Sequence, residues 1–271
     1  MAVLNVTPDS FSDGGRYLDA ELAVAHGREM ARQGADVIDV GGESSRPGAE
    51  PVSEGEELRR VVPVIEALSP HVRVSVDTVK PAVAEAALGA GASLLNDISA
   101  SLWPVAAESG AGWVAMHMQG APRTMQHDPR YDDVVAEVHG FLRARADVAL
   151  EAGVREVWVD PGIGFGKTAA HNLALLRHLP DLVAQGVPVL VGTSRKSFLG
   201  RLAAGPGAEP AGVTERLAGS IATATWAMLA GASMVRVHDV PSALAAATLV
   251  GTTRVEVGGP CPVGTGRWDG G

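Results

Sequence analysis

The sequence predicts an α/β fold of one domain, a (β/α)8 TIM barrel, and three observations lead to this prediction. Short apolar or β-branched runs alternate with Ala- and Leu-rich segments of helical period, which is the pattern of repeated βα units. Eight such runs can be counted, and eight is the strand number of this barrel. The length of 271 residues is close to the ~250 residues of a typical barrel domain.

The predicted strands are short and carry few charges. They are residues 2–6, 36–40, 72–76, 93–95, 112–116, 156–159, 187–191 and 234–237. A doubly wound open parallel sheet has the same local alternation and stays open as the alternative architecture. The count of eight favours the closed barrel.

The predicted helices lie between these runs, and several end at a Gly-Ala or Gly-Val pair that admits a left-handed residue. They are residues 21–32, 54–67, 81–88, 131–152, 169–179 and 214–229. No low-complexity linker interrupts the alternation before the end of the chain. We therefore expect a barrel domain over residues 1–250 and a Gly-rich tail over 251–271 that is disordered.

Composition excludes several classes of protein. The net charge of −9 gives no broad positive field, so no nucleic-acid partner is expected. The only cysteine, Cys261, allows neither a disulfide framework nor a Cys-based zinc site, and no export signal is visible at the start, so we expect a cytoplasmic protein. The uncharged stretch 217–235 is interpreted as a buried helix followed by a strand, because it breaks at Gly231, and no membrane contact is expected.

Polar residues stand at or just after the ends of nearly all predicted strands. Enzymes with this barrel place their active sites at that face, because the carboxyl ends of all eight strands meet there. Any one of these residues also fits a helix N-cap or a solvated loop charge. Their joint occurrence favours a binding site, with the candidates Asn5, Asp77, Asn96, His117, Asp160, Lys196, Arg236 and His238.

Two chemical groups stand out among these candidates. Asp77, Asn96 and Asp160 suit a planar heterocycle with adjacent N–H donors, because a carboxylate accepts two such bonds side by side. A cationic group suits a diphosphate, together with Mg²⁺ and with Asn5 nearby. Its members are Arg46, Arg236 and His238.

Three other site types are disfavoured. The segment 160–168 (DPGIGFGKT) is one residue too short for a P-loop, and is better interpreted as a tight turn that brings Asp160 and Phe165 to one pocket. The histidines lack the spacing of a zinc motif. No serine or cysteine stands in a nucleophile elbow.

At these loops the chain resembles the dihydropteroate synthase family, in order from about residue 2 to about residue 240. Eight segments carry the resemblance: 4–15 (LNVTPDSFSDGG), 41–48 (GGESSRPG), 75–78 (SVDT), 96–98 (NDI), 116–120 (MHMQG), 160–168 (DPGIGFGKT), 192–200 (GTSRKSFLG) and 236–239 (RVHD). The first two are long enough to be highly specific. One departure is Ala100-Ser101, where the family usually has a glycine pair, and we expect the fourth loop to take a different path there.

The resemblance implies a folate-pathway transferase that joins 6-hydroxymethyl-7,8-dihydropterin diphosphate to 4-aminobenzoate and releases diphosphate. It also implies a homodimer, with residues 214–229 as a candidate interface, and a target of sulfonamides. The implied pterin pocket consists of Asp77, Asn96, Ile98, Met116, Asp160, Phe165, Gly192, Lys196 and Arg236.

The other implied subsites surround this pocket. The resemblance places Mg²⁺ on Asn5, and it places the diphosphate on Asn5, Arg46, Arg236 and His238. It places 4-aminobenzoate near Phe11, Ser45, Arg46, Pro47, Lys196 and Ser197. The implied catalytic residues are Asp77, Asp160, Lys196, Arg236 and His238.

Two other functions stay open. A weakly active or non-catalytic paralogue would bind pterins without making dihydropteroate. A pterin-domain methyltransferase shares the barrel and the pterin pocket, but it has no use for a first loop with Phe11 or a second loop with Arg46.

Overall fold

A computed structural model describes residues 1–7, 16–44, 51–204 and 207–251. Its strands follow the predicted runs within a few residues, and all of them are parallel to their neighbours. They are β1 (Ala2–Asn5), β2 (Val37–Gly41), β3 (Arg73–Asp77), β4 (Leu94–Asp97), β5 (Gly112–Met116), β6 (Val157–Asp160), β7 (Leu190–Val191) and β8 (Met234–Val235).

The eight strands close into a barrel. β1 to β6 form one sheet in sequence order, and β7 pairs with β8. Single parallel bridges join these two parts, between Val159 and Val189 and between Ala2 and Val237. At the second bridge Val3 N donates to Val237 O at 2.9 Å. The prediction of a TIM barrel is therefore confirmed, and the open sheet is excluded.

Ten α-helices surround the described part of the barrel. They are α1 (Arg16–Arg32), α2 (Glu54–Leu68), α3 (Pro81–Gly89), α4 (Trp103–Ser109), α5 (Val134–Glu151), α6 (Ala169–Arg177), α7 (Leu179–Val183), α8 (Ser197–Ala204), α9 (Leu217–Leu229) and α10 (Val240–Val250). None of these described helices is both long and apolar enough to cross a lipid bilayer.

The observed helices differ from the predicted ones in number and in bounds, and each difference has a local cause. α4, α8 and α10 were not predicted, because they are short or lack a clear apolar period. α5 begins three residues later than predicted, where the Asp133 carboxylate accepts from Val135 N and Ala136 N. The predicted helix 169–179 is divided near His178, and the next helix carries Pro180 in its first turn.

The barrel interior has an apolar floor. Residues of alternate position along a strand point to the same side, so every second residue of each strand faces the barrel axis. These floor residues form one buried cluster, which is separate from the larger core between strands and helices. Its members are Met1, Val37, Leu94, Val114, Trp158 and Leu190, with Met234 packed against them.

The fourth loop takes a left-handed turn at the expected departure. Ala100 has φ 50°, a conformation that glycine adopts without strain, and its side chain is fully buried. The Asp97 carboxylate holds this turn by accepting from Ser101 N and Leu102 N, each at 2.7 Å. These bonds keep the loop in the conformation in which a glycine would be relaxed.

Candidate active site

The mouth of the barrel lies two residues beyond the floor on β4 to β8 and four residues beyond it on β1 and β2, and it is lined mostly by polar side chains. The Cα register places Asn5 beside Gly41, Gly41 beside Asp77, and Asp77 beside Asn96. On the next strands Met116 pairs with Asp160. Five of the predicted residues, Asn5, Asp77, Asn96, Met116 and Asp160, thus lie at the ends of strands on one rim.

Arg236 links the eighth strand to the second and third. Its Nε donates to Asp39 Oδ2 at 2.6 Å, and its Nη2 donates to Asp77 Oδ2 at 2.9 Å. Burial raises the pKa of Asp77 to about 7, because desolvation outweighs the opposing positive charge of Arg236, and the negative charge of Asp39 adds a smaller increase. The Asp77 carboxyl can therefore change its charge near neutral pH.

Lys196, Asp160 and Phe165 form the opposite side of the mouth. The Lys196 ammonium lies 4.6 Å from the centre of the Phe165 ring and donates to the carbonyl of Ile163. Burial lowers the pKa of Lys196 to about 8, and Asp160 opposes this change. Burial also raises the pKa of Asp160, although its Oδ1 accepts from Gly162 N at 2.7 Å.

The loop after β6 folds around a buried lysine. Lys167 Nζ lies 2.9 Å from Nδ1 of His117 and donates to the carbonyls of Phe165 at 3.0 Å and Gly162 at 3.1 Å. A methyl group at Gly162 would lie only 1.8 Å from His117 O, so the two loops approach too closely there for any other residue. The ammonium thus binds backbone carbonyls, which is unlike the phosphate contact of a P-loop lysine.

This burial affects both ionisable groups of the contact. Burial lowers the pKa of Lys167 to about 7, and Lys196 adds repulsion. Burial and the nearby Lys167 lower the pKa of His117 to about 3. The imidazole of His117 therefore stays neutral, and its Nδ1 is a contact of the Lys167 side chain.

The seventh and eighth strand ends meet through a serine. His238 Nδ1 lies 3.1 Å from Ser194 Oγ, and His238 N donates to the same oxygen at 3.2 Å. Gly192 lies beside Arg236 and Lys196, since a methyl group at this glycine would be 3.6 Å from Arg236 Cβ and 3.8 Å from Lys196 Nζ. This glycine leaves space between the two cations.

An ion cluster holds the start of the second loop. The Lys80 ammonium contacts the carboxylates of both Glu43 and Glu57, and Glu57 is buried in α2. Arg60, also in α2, donates to Gly42 O at 2.8 Å. The loop therefore leaves β2 from a fixed base.

The structure brings most of the predicted site residues together, and some lie outside the described residues. Asn96, Ile98, Met116, Asp160 and Gly192 are buried at the strand ends, while Ser197 is exposed at the start of α8. The residues that the structure does not describe are Phe11, Ser45, Arg46 and Pro47.

The two predicted groups are interleaved rather than separate. Arg236 was predicted among the cations for a diphosphate, yet it is paired with Asp39 and Asp77, because a guanidinium that is largely removed from water needs a carboxylate partner. Sequence reasoning missed Asp39 and Lys167 as site residues. A carboxylate inside an otherwise apolar strand was the available signal for Asp39, and a lysine in a glycine-rich turn was the signal for Lys167.

The sequence and the fold of this chain both resemble those of known proteins. Residues 1–238 match the family described as "Pterin binding enzyme". Dihydropteroate synthase of Mycobacterium leprae is 48% identical over 93% of this chain and 92% of its own length. The Xanthomonas albilineans dihydropteroate synthase solved with 4-aminobenzoic acid has a TM-score of 0.84 and 48% identity, covering 92% of this chain and 90% of that one.

The same X. albilineans enzyme has been solved in complex with 7,8-dihydropteroate, with a TM-score of 0.80, 46% identity, and coverage of 92% of this chain and 90% of that one. Matches at this identity extend over nearly the whole length of both proteins. The chain therefore belongs to the pterin-binding enzyme family and, within it, to the dihydropteroate synthases, the transferases of folate biosynthesis.

Proposed function

We propose that this chain joins 6-hydroxymethyl-7,8-dihydropterin diphosphate to 4-aminobenzoate and releases diphosphate, with the mouth of the barrel as the active site. One observation carries the proposal. Two carboxylates, the half-buried Asp77 and the buried Asp160, share this mouth with two half-buried cations, Lys196 and Arg236. Such a site pairs acceptors for a ring edge with charges for an anionic leaving group.

Asp160, Asp77 and Asn96 bind the pterin ring. A carboxylate accepts two adjacent N–H bonds from an aminopyrimidine edge, and the amide of Asn96 both donates and accepts. Phe165, which the Lys196 ammonium contacts on one face, provides an aromatic surface for the ring. Ile98, Met116 and Gly192 complete the pocket at the strand ends.

Arg236, His238, Asn5 and Arg46 bind the diphosphate. Among the described residues, no group of three or more His, Cys, Asp or Glu side chains can hold a metal alone. Asn5 Oδ1 and Asp77 Oδ2 nevertheless face the same space, since a methyl group at Gly41 would lie 3.7 Å and 3.9 Å from them. Such a small set of oxygen donors fits Mg²⁺, which retains water and takes further oxygens from phosphates.

The reaction exchanges one bond for another. The aromatic amine forms a C–N bond to the methylene of the pterin, the C–O bond to the diphosphate breaks, and its electron pair leaves with the diphosphate. The amine proton passes to solvent. When bound, Mg²⁺ would supply positive charge to the departing oxygens.

The side chains of this chain stabilise both ends of that bond. The guanidinium of Arg236 and the imidazole of His238 offset the growing negative charge on oxygen. The carboxylates of Asp77 and Asp160 favour the positive charge that develops on the pterin. Phe11, Ser45, Arg46, Pro47, Lys196 and Ser197 bind 4-aminobenzoate and exclude water that would trap the cation.

The test is an assay of the purified protein with pterin diphosphate, Mg²⁺ and 4-aminobenzoate. We expect dihydropteroate and diphosphate in equal amounts, with sulfonamides competing against 4-aminobenzoate. Saturable pterin binding without diphosphate release would instead identify a non-catalytic paralogue. Methyl transfer from methyltetrahydrofolate to cobalamin would identify a methyltransferase.

The chain also acts as a cytoplasmic homodimer in this proposal. α9 and α10 present an apolar groove between them, and large side chains at its edges are exposed, with Leu229 70% and Leu249 86% accessible. Burial of such a patch against a second copy removes apolar surface from water. Leu229→Glu is expected to convert the dimer to a monomer in sedimentation, whereas Leu202→Glu, an exposed leucine on α8, leaves the dimer intact.

A further inference from the structure

Asp39 is a buried carboxylate that lies between the apolar floor and the polar mouth. It is the only charged residue of β2, and its side chain is inaccessible to solvent. In the register of the sheet it lies beside Ser75 of β3. It therefore faces the barrel interior directly below the row that holds Gly41 and Asp77.

One oxygen of Asp39 holds two binding residues from different strands. Oδ2 accepts from Arg236 Nε at 2.6 Å and from Asn96 Nδ2 at 3.0 Å. The guanidinium is planar, so this contact and the contact of Nη2 with Asp77 together define its plane. Among the described residues, Nη1 of Arg236 has no hydrogen-bond partner, which leaves it available to an anion.

The stability of the fold does not by itself explain a carboxylate at position 39. Its other oxygen, Oδ1, is buried without a hydrogen-bond partner among the described residues. Burying a charged group carries a large desolvation penalty, and apolar residues in place of a buried ion pair often leave a protein equally or more stable. The role of the Asp39 carboxylate must therefore lie in orienting Arg236 and Asn96.

We propose that Asp39 is a positioning residue which fixes Arg236 and Asn96 together, so that the pterin ring and its diphosphate are bound in one register. The assignment of these two partners to substrate rests on the proposed function. Asp77 alone would hold Arg236 through a single nitrogen, which permits rotation. Asp39 removes that freedom before substrate arrives, and its effect on the reaction passes entirely through its two partners.

The test compares Asp39→Asn with Ser75→Ala. The first keeps the shape of the side chain but removes its charge. The second is a matched control, because Ser75 is the register partner of Asp39, is buried, and has a hydroxyl without a hydrogen-bond partner among the described residues. Both variants alter one buried polar group in the same layer of the barrel.

We expect Asp39→Asn to raise the KM for pterin diphosphate by about a hundredfold, as for a displaced binding group. The KM for 4-aminobenzoate should change by less than about twofold, as should every constant of Ser75→Ala. The dissociation constant of 6-hydroxymethylpterin, which lacks the diphosphate, should rise less than that of the diphosphate ligand, because Asn96 loses one contact while Arg236 loses its orientation.

A spectroscopic measurement on the unmodified protein keeps the test independent of turnover and of the folding of any variant. With ¹⁵N-labelled arginine, the Nε–H of Arg236, identified by its absence in Arg236→Lys, should be protected from exchange through its bond to Asp39. Rapid exchange of that proton in the unmodified protein would overturn the proposal. So would equal losses of both pterin ligands and 4-aminobenzoate in Asp39→Asn.

Different results would contradict the proposed function and the positioning role of Asp39. If the unmodified protein makes no dihydropteroate, the proposed function is wrong, while the Arg236 signal and the pterin dissociation constants still decide the role of Asp39. If turnover is normal and Asp39→Asn resembles Ser75→Ala, only the positioning role is wrong.

Discussion

The floor and the mouth of the barrel are built by the same strands, yet on strands such as β4 and β6 the side-chain chemistry changes completely within two residues. On β4 the floor residue is Leu94 and the mouth residue is Asn96, and on β6 they are Trp158 and Asp160. The floor residues pack against each other without charge. The mouth residues are ionisable or polar groups that burial makes costly. A single barrel therefore separates stabilising residues from binding residues by one step of strand alternation.

The largest expected effect tests the floor. Leu94→Ala removes a fully buried side chain from the apolar cluster, so it should lower the free energy of unfolding by about 2–5 kcal/mol. Chemical denaturation measures this loss. KM for both substrates should stay unchanged below the unfolding transition, and a large rise in either KM would break the separation between floor and mouth. Exposed Leu202→Ala serves as the control.

The second prediction tests the mouth. Arg236→Ala should reduce kcat/KM by about a hundred- to a thousandfold, the size found when a preorganised charge is removed from a developing anion. Calorimetry should show a much greater loss of affinity for the diphosphate-bearing pterin than for 6-hydroxymethylpterin. Equal losses for the two ligands would contradict its role, and exposed Arg177→Ala should change neither affinity.

The third prediction concerns the effect of the Asp77 carboxyl on the free energy of unfolding. Because burial raises the pKa of Asp77 from 3.8 to about 7, the folded protein holds a proton that the unfolded chain has released across this range. Stability should therefore fall as pH rises from about 4 to about 7, by about 1.4 kcal/mol for each unit between the two pKa values at most.

Asp77→Asn lacks this titration and isolates it. The unfolding free energy of the unmodified protein, minus that of Asp77→Asn, should decrease steadily across this pH range in denaturant titrations without Mg²⁺. A difference that is independent of pH would show that Asp77 remains ionised in the folded state.

The smallest expected effect concerns the ion cluster at the base of the second loop, at the edge of the mouth. Lys80→Met breaks the half-buried ion pair with Glu43 at the base of the second loop, so the KM for 4-aminobenzoate should rise by about two- to fivefold, the range of a partly exposed ion pair. The variant also leaves the buried carboxylate of Glu57 unpaired, so the KM is measured well below its unfolding transition. Pterin affinity should not change. Arg59→Met, which breaks the exposed pair with Glu56 on the same helix, should leave both constants unchanged.

The barrel architecture could be predicted because the signals for its strands and helices are local in the sequence. Each strand and most helices follow from the spacing of apolar residues and from the glycines that end helices, so the barrel and the residues at its rim could be identified from the chain alone. The strand ends at Asp77, Asn96 and Asp160 are examples. Short helices such as α4 and α10 were missed because their stability depends on packing against neighbours rather than on their own pattern.

The contacts within the site were decided by barrel closure. Arg236 and Asp39 are 197 residues apart, and only the pairing of the eighth strand with the first brings them within hydrogen-bond distance. Lys167 likewise meets His117 across two loops, over a separation of 50 residues. The sequence by itself determined which residues stand at the rim, because strand alternation is local. Tertiary structure alone decided which charges neutralise each other, because a buried charge takes the partner that the closed barrel places beside it.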